Sequence, residues 1–257
     1  MPSKNRYRRG SITELRIRMS KTMTGDEDMR AVLLKSSALA FIATIFAVPY
    51  IYHLILLRPF TPPLILHLGL HKFLVIEMLL LFMLCLLCAL IGFSFAERRG
   101  LPGLGDKTRF LRSIPLLLCI TCLMTVLSYF TFDRHFFKLS PASYPRNLLY
   151  LLSFPLKAAF LDELILRFAL VTIGIGIFRH RLIGVFFGAV AASLFGLKYL
   201  QFIGIPFRLN EFIIVKCLLS FAAAFILGYF FVARGLLYSM GLNFLFNLKY
   251  AVISFIL

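Results

Sequence analysis

The chain has 257 residues, 60% of them hydrophobic, with a mean hydropathy of +0.90 and a formal net charge of +17. That apolarity excludes an ordinary soluble domain. The positive charge does not point to nucleic acid, because no basic module interleaved with aromatics is present, and basic loops beside anionic lipid account for it.

Residues 1–30 carry eight Lys/Arg. Ser11 with Glu14 and Thr24 with Glu27 form two capping-box patterns. Ile12, Leu15, Ile17 and Met19 among the arginines fit either a short amphipathic helix on the inner leaflet or a disordered basic tail. The apolar run from Ala31 is too long for the core of a signal peptide, and no small-x-small cleavage site follows it.

A membrane span needs about 20 apolar residues. Seven segments qualify: 31–57, 72–96, 113–132, 147–178, 182–203, 211–233 and 235–257. The predicted fold is therefore all-α, a polytopic membrane helix bundle of about seven transmembrane helices. A basic N-terminal segment (1–30) precedes three N-terminal spans (31–132) and a core of four (145–257). The fourth segment is long for one span, so Pro155 is expected to kink it or to separate an interfacial turn. With the N-terminus inside, residues 1–30, 97–112, 179–181 and Arg234 place eight, five, two and one Lys/Arg on the inner side, sixteen in all. Six fall in outer loops and six within spans (Lys35, Lys157, Arg167, Lys198, Lys216 and Lys249). This bias predicts a multi-pass plasma- or inner-membrane protein with a cytoplasmic N-terminus.

Several features have plain packing explanations. Cys85-x-x-Cys88 and Cys119-x-x-Cys122 sit mid-span in Leu-rich helices, and a hairpin of the second and third spans would bring them to similar depth. Buried thiols behave as small hydrophobes, so neither a metal nor a disulfide is expected there. His67 and His71, one turn apart, have no third ligand and read as interfacial histidines. Gly184, Gly188, Ala192 and Gly196 form a small-residue ridge that lets a neighbouring helix approach closely. Asn243 and Asn247 lie four apart and should face the bundle interior, either to bond another helix or to line a polar cavity.

The stretch Asp162-Glu163-Leu164-Ile165-Leu166-Arg167 puts two carboxylates and a guanidinium inside an apolar segment. Each such charge costs roughly 2.5–3.5 kcal/mol on insertion scales, so it needs a partner or a function. Glu163 and Arg167 are four apart with the acid N-terminal, the favourable orientation for an ion pair.

Three stretches, in order, carry a family resemblance. Phe154-Pro155-Leu156 through Asp162-Glu163-x-x-x-Arg167-Phe168 looks like a Glu-Glu-x-x-x-Arg helix. Ser193 through Leu200 looks like a Phe-x-x-x-His helix, with Phe195 and Tyr199 at its two positions. Ala233-Arg234-Gly235-Leu236 through Asn243-Phe244-Leu245-Phe246-Asn247 looks like a His-x-x-x-Asn helix. Over residues 145–250 the chain resembles the CPBP family of intramembrane proteases, which comprises the type II CAAX prenyl endopeptidases and the bacteriocin-processing or self-immunity (Abi) proteins. The resemblance implies an intramembrane endopeptidase site at Glu163, Asp162, Arg167, Tyr199, Asn243 and Asn247. Both family histidines are replaced, by Tyr199 and Asn243, and the first Glu is Asp162.

These replacements bear on chemistry. Activating water for peptide hydrolysis needs a base, with an imidazole or metal beside it. A phenol, with a free pKa of about 10, is a poor base. Asn243 can still donate to an oxyanion. Shortening Glu to Asp withdraws a carboxylate by about one methylene, enough to disturb positioning. Lys198 suggests instead a neutral network of Asp162 and Glu163 with Arg167 and Lys198. The expected function is a weakened or inactive endopeptidase, a pseudoenzyme that binds a membrane protein or peptide amid membrane lipids, without nucleic acid, metal or cofactor. The alternative is an active protease with Asp162 or Glu163 as base. A transporter fits less well, because no inverted repeat is visible.

Overall fold

The structure, a computed structural model, describes residues 7–57, 69–139, 147–202 and 211–256. The described residues form an all-α bundle with no strand. In chain order the helices are α1 (Tyr7–Leu57), α2 (Leu70–Arg98), α3 (Lys107–Arg112), α4 (114–139), α5 (148–178), α6 (Arg181–Phe202), α7 (Glu211–Arg234) and α8 (Leu236–Ile256). Six of them are long and apolar enough to cross a membrane: α1, α2, α4, α6, α7 and α8. Their outer faces carry large apolar side chains. On α2, Leu79, Leu80, Met83 and Leu87 are each more than half exposed, the pattern of a surface that faces lipid rather than water.

The seventh predicted span, α5, is different in kind. It is one unbroken helical run, but wide π turns occupy Ala158–Asp162 and Leu164–Val171. Pro155 neither ends the helix nor splits off a turn. It lies inside the α-helical part, and the first wide turn begins three residues later. The missing N–H and the ring's clash with the carbonyl four residues back disturb the ladder there, and an expanded turn absorbs such a disturbance. Four charged residues fall in α5, which explains why composition separates it from the other six. It tolerates them because it is central, packing against α1, α2, α6, α7 and α8.

The 7–30 segment is helical and runs without a break into the first span, rather than forming a separate short helix. The small-residue ridge behaves as the sequence predicts. A β-carbon on Gly184 would lie 2.7 Å from the Ile175 amide nitrogen, so α6 and α5 meet nearly backbone to backbone. The third span does not form a hairpin with the second: α4 packs along α8. Cys85 and Cys88 are consequently buried against α1 and α5, while Cys119 and Cys122 are exposed. The two CxxC pairs never meet, and all five cysteines are free. His71 is exposed, and His67 lies outside the described residues.

At one end of the bundle three loops are stitched together. The Leu236 and Leu237 amides donate to the Gly103 and Leu104 carbonyls (2.9 and 3.0 Å), which satisfies two of the orphan donors of α8. Arg99 donates to the Gly176 carbonyl (3.0 Å) and Arg181 to that of Gly100 (3.4 Å). Asp106 caps α3, and hydrogen bonds from the Thr108 hydroxyl and the Arg109 and Thr108 amides hold its carboxyl below the usual range. The joint depends on Gly235, whose φ is +105° and whose added β-carbon would sit 2.6 Å from the Gly105 backbone. Gly235→Ala is expected to destabilise the protein by about 1–3 kcal/mol through strain and overpacking. A lowered thermal midpoint in detergent checks this.

Candidate functional site

Four of the six predicted site residues converge. On α5, Glu163 is fully buried and forms an ion pair with Arg167, Nη1 lying 3.2 Å from Oε1. On α8, Asn243 Nδ2 donates to the same Glu163 oxygen at 2.6 Å and to the Ala158 carbonyl at 2.9 Å, at the start of the first wide turn. Asn247 Nδ2 then donates to Asn243 Oδ1 at 2.7 Å and to the Asn243 carbonyl at 2.8 Å. A polar chain therefore runs Asn247 to Asn243 to Glu163, closed by Arg167 on the other side. The i,i+4 spacings on the two helices aim both pairs inward. Where the family resemblance places an imidazole, the structure places the Asn243 amide, hydrogen-bonded to the glutamate.

The remaining two residues stand differently. Asp162 turns away from Glu163 and pairs with Lys157 at 2.7 Å, with both side chains partly exposed. Lys198, expected as its counter-ion, is exposed. The reason is helical: Lys157 and Asp162 are five apart, and the wide turn between them puts i and i+5 on one face. The side chain of Tyr199 lies outside the described residues.

Sequence reasoning missed a second buried charge cluster. Lys249 of α8 pairs with Asp133 of α4 at 2.7 Å, both buried. Ser128 accepts from Lys249 (2.6 Å) and donates to Asp133 (2.8 Å). Asp133 ends another π turn, Tyr129–Asp133, and again the partners Ser128 and Asp133 are five apart. The available signal was that an ionisable residue inside a span has a partner or a task, which applies to Lys157, Lys216 and Lys249 alike. Ser239, buried beside Glu163 with its hydroxyl on the Leu236 carbonyl, was also missed.

Between the two clusters lies a cavity of about 410 Å³, within the usual range of ligand pockets. Phe132, Phe154 and Leu227 are among its apolar walls, and Lys157, Asp162, Arg167, Lys216, Asn243, Asn247 and Lys249 are among the polar ones. Glu163 is not on its wall. Among the described residues no three His, Cys, Asp or Glu side chains come together as a metal-holding set.

Comparison with protein-family models, curated proteins and solved structures gives no match.

Proposed function

We propose that this chain is a CPBP-like integral membrane protein whose protease centre has become structural and whose remaining cleft binds a membrane-embedded partner, a membrane protein or peptide. One observation carries the reading. Glu163 is sealed behind the cavity wall, with Arg167 and Asn243 both on one of its oxygens and, among the described residues, no imidazole bonded to it. A general base must reach the proton it removes, and a carboxylate held in an ion pair away from the cavity does not. The three motif stretches support descent from the family, since two of them meet as that family's site would require. The positive-inside bias supports a plasma or inner membrane with the N-terminus cytoplasmic.

The test uses purified protein in detergent with a panel of hydrophobic membrane peptides, read by mass spectrometry. No cleavage by the wild type and stable capture of a peptide are expected. Cleavage that disappears in folded Glu163→Ala protein would overturn the reading in favour of an active glutamate-dependent endopeptidase.

A further inference from the structure

We propose that the cavity selects a single-chain anionic amphiphile, with an acidic head group on the Lys216 ammonium and an apolar chain running along α7. The inference rests on the reading of the cavity as a ligand site and names the chemistry of what fills it.

Charge complementarity carries the head group. Four cations line the cavity: Lys157, Arg167, Lys216 and Lys249. Three have their own carboxylate within ion-pair distance, Lys157 with Asp162, Arg167 with Glu163 and Lys249 with Asp133. Lys216 has none among the described residues; its ammonium lies 4.7 Å from the centre of the Phe132 ring. A ring face compensates a cation only in part. Asp133 acts on Lys216 at longer range, and Lys249 and Ser128 already engage its Oδ2. Four basic side chains at the cavity are thus set against three carboxylates, in an apolar setting where an uncompensated ion is costly and an incoming anion would favour the charged form of Lys216.

The shape carries the chain. Lys216 is five residues into α7, roughly 7.5 Å from its start at 1.5 Å per residue. Ser220, Ala223, Ala224 and Leu227 follow it along the cavity wall at helical spacing. From Lys216 to Leu227 that face extends a further 16 Å or so (about 1.5 Å per residue). Three of these side chains are small, and Ala192 and Gly196 on α6 are small opposite them. The result is a face of mostly small side chains with the Lys216 cation at one end, on one wall of the cavity. The cavity volume of about 410 Å³ suits one chain rather than the two of a phospholipid.

The probes are palmitate, palmitoyl lysophosphatidate and hexadecanol, titrated against the full chain in neutral detergent under conditions that ionise both acids. At least one acid is expected to bind about tenfold or more tighter than the alcohol, the scale of one charge-assisted contact. The two acid arms show whether a carboxylate or a phosphate supplies the anion. Lys216→Gln is expected to abolish the preference for acid over alcohol, and Lys216→Arg to keep it. Equal binding of alcohol and acids, or a preference that survives Lys216→Gln, would overturn the proposal. Should Lys216→Gln fail to fold, the wild-type comparison of acid with alcohol decides alone. Capture of an uncharged apolar peptide with no binding of either acid overturns this inference and leaves the proposed function standing, whereas binding of neither class overturns both.

Discussion

Glu163→Gln is expected to destabilise the protein by about 3–5 kcal/mol, the usual cost of removing one partner of a buried ion pair. The substitution keeps the shape, and the new carbonyl can still accept from Asn243. What it removes is the counter-charge of Arg167, only 4% exposed and set in an apolar helix. The cost therefore falls on the guanidinium left behind. Removing both charges tests that explanation. Glu163→Leu with Arg167→Met deletes the pair at similar volume and is expected to recover most of the loss, because desolvation and attraction nearly cancel in such pairs. The chain has no tryptophan to report unfolding, but Cys85 and Cys88 are buried. A thiol-reactive dye in a thermal ramp reads their exposure above the immediate reaction of Cys119 and Cys122, which are exposed already. A Glu163→Gln midpoint equal to that of wild type would remove the ion pair from the account and free Glu163 for chemistry.

The second large effect is expected at Lys249. Lys249→Met should also cost about 3–5 kcal/mol, since it strands fully buried Asp133, whose Oδ1 already lacks a partner among the described residues. The pair has a specific mechanical role. It joins α4 to α8, while α4 makes its other contacts mainly through apolar side chains such as Leu117 and Phe132. Lys249 also sits 4.0 Å from the Phe246 ring centre, so the substitution loses a cation–π contact as well. The double variant Asp133→Asn with Lys249→Met should regain much of the stability by removing both charges. The same thermal ramp checks both proteins. Recovery in the double variant but not in either single one identifies the ion pair, rather than packing, as the joint.

The Lys157–Asp162 pair marks the contrast. Its side chains are 21% and 31% exposed, so screening leaves such a pair a much smaller share of the stability. Its value is positional, because it holds both charges at the cavity wall. Asp162, Glu163, Arg167 and Lys198 therefore do not form the single network expected from the sequence. Two separate pairs replace it, and Lys198 belongs to neither.

Residue order alone determined the all-α membrane character, the helical positions and the pairs spaced by four. Apolar runs of about 20 residues have no other stable form in lipid, where the backbone must satisfy itself. Glu163 with Arg167, and Asn243 with Asn247, follow from the 3.6-residue period, and the ridge of Gly184 and Gly188 follows from the same period. The tertiary structure decided everything that depends on departures from that period and on which helices are neighbours. Lys157 meets Asp162 and Ser128 meets Asp133 only because wide turns bring residues five apart onto one face. Asp133 meets Lys249 only because α4 lies against α8 and not against α2. Loop lengths and apolar faces do not encode that choice, since in lipid one Leu-rich surface is as acceptable as another and the deciding contacts are a few polar side chains and small residues. Lys216 shows the limit most clearly. Its presence in a span is visible in the sequence, but that it has no carboxylate within ion-pair distance among the described residues, while Lys157, Arg167 and Lys249 each have one, depends on how the helices pack.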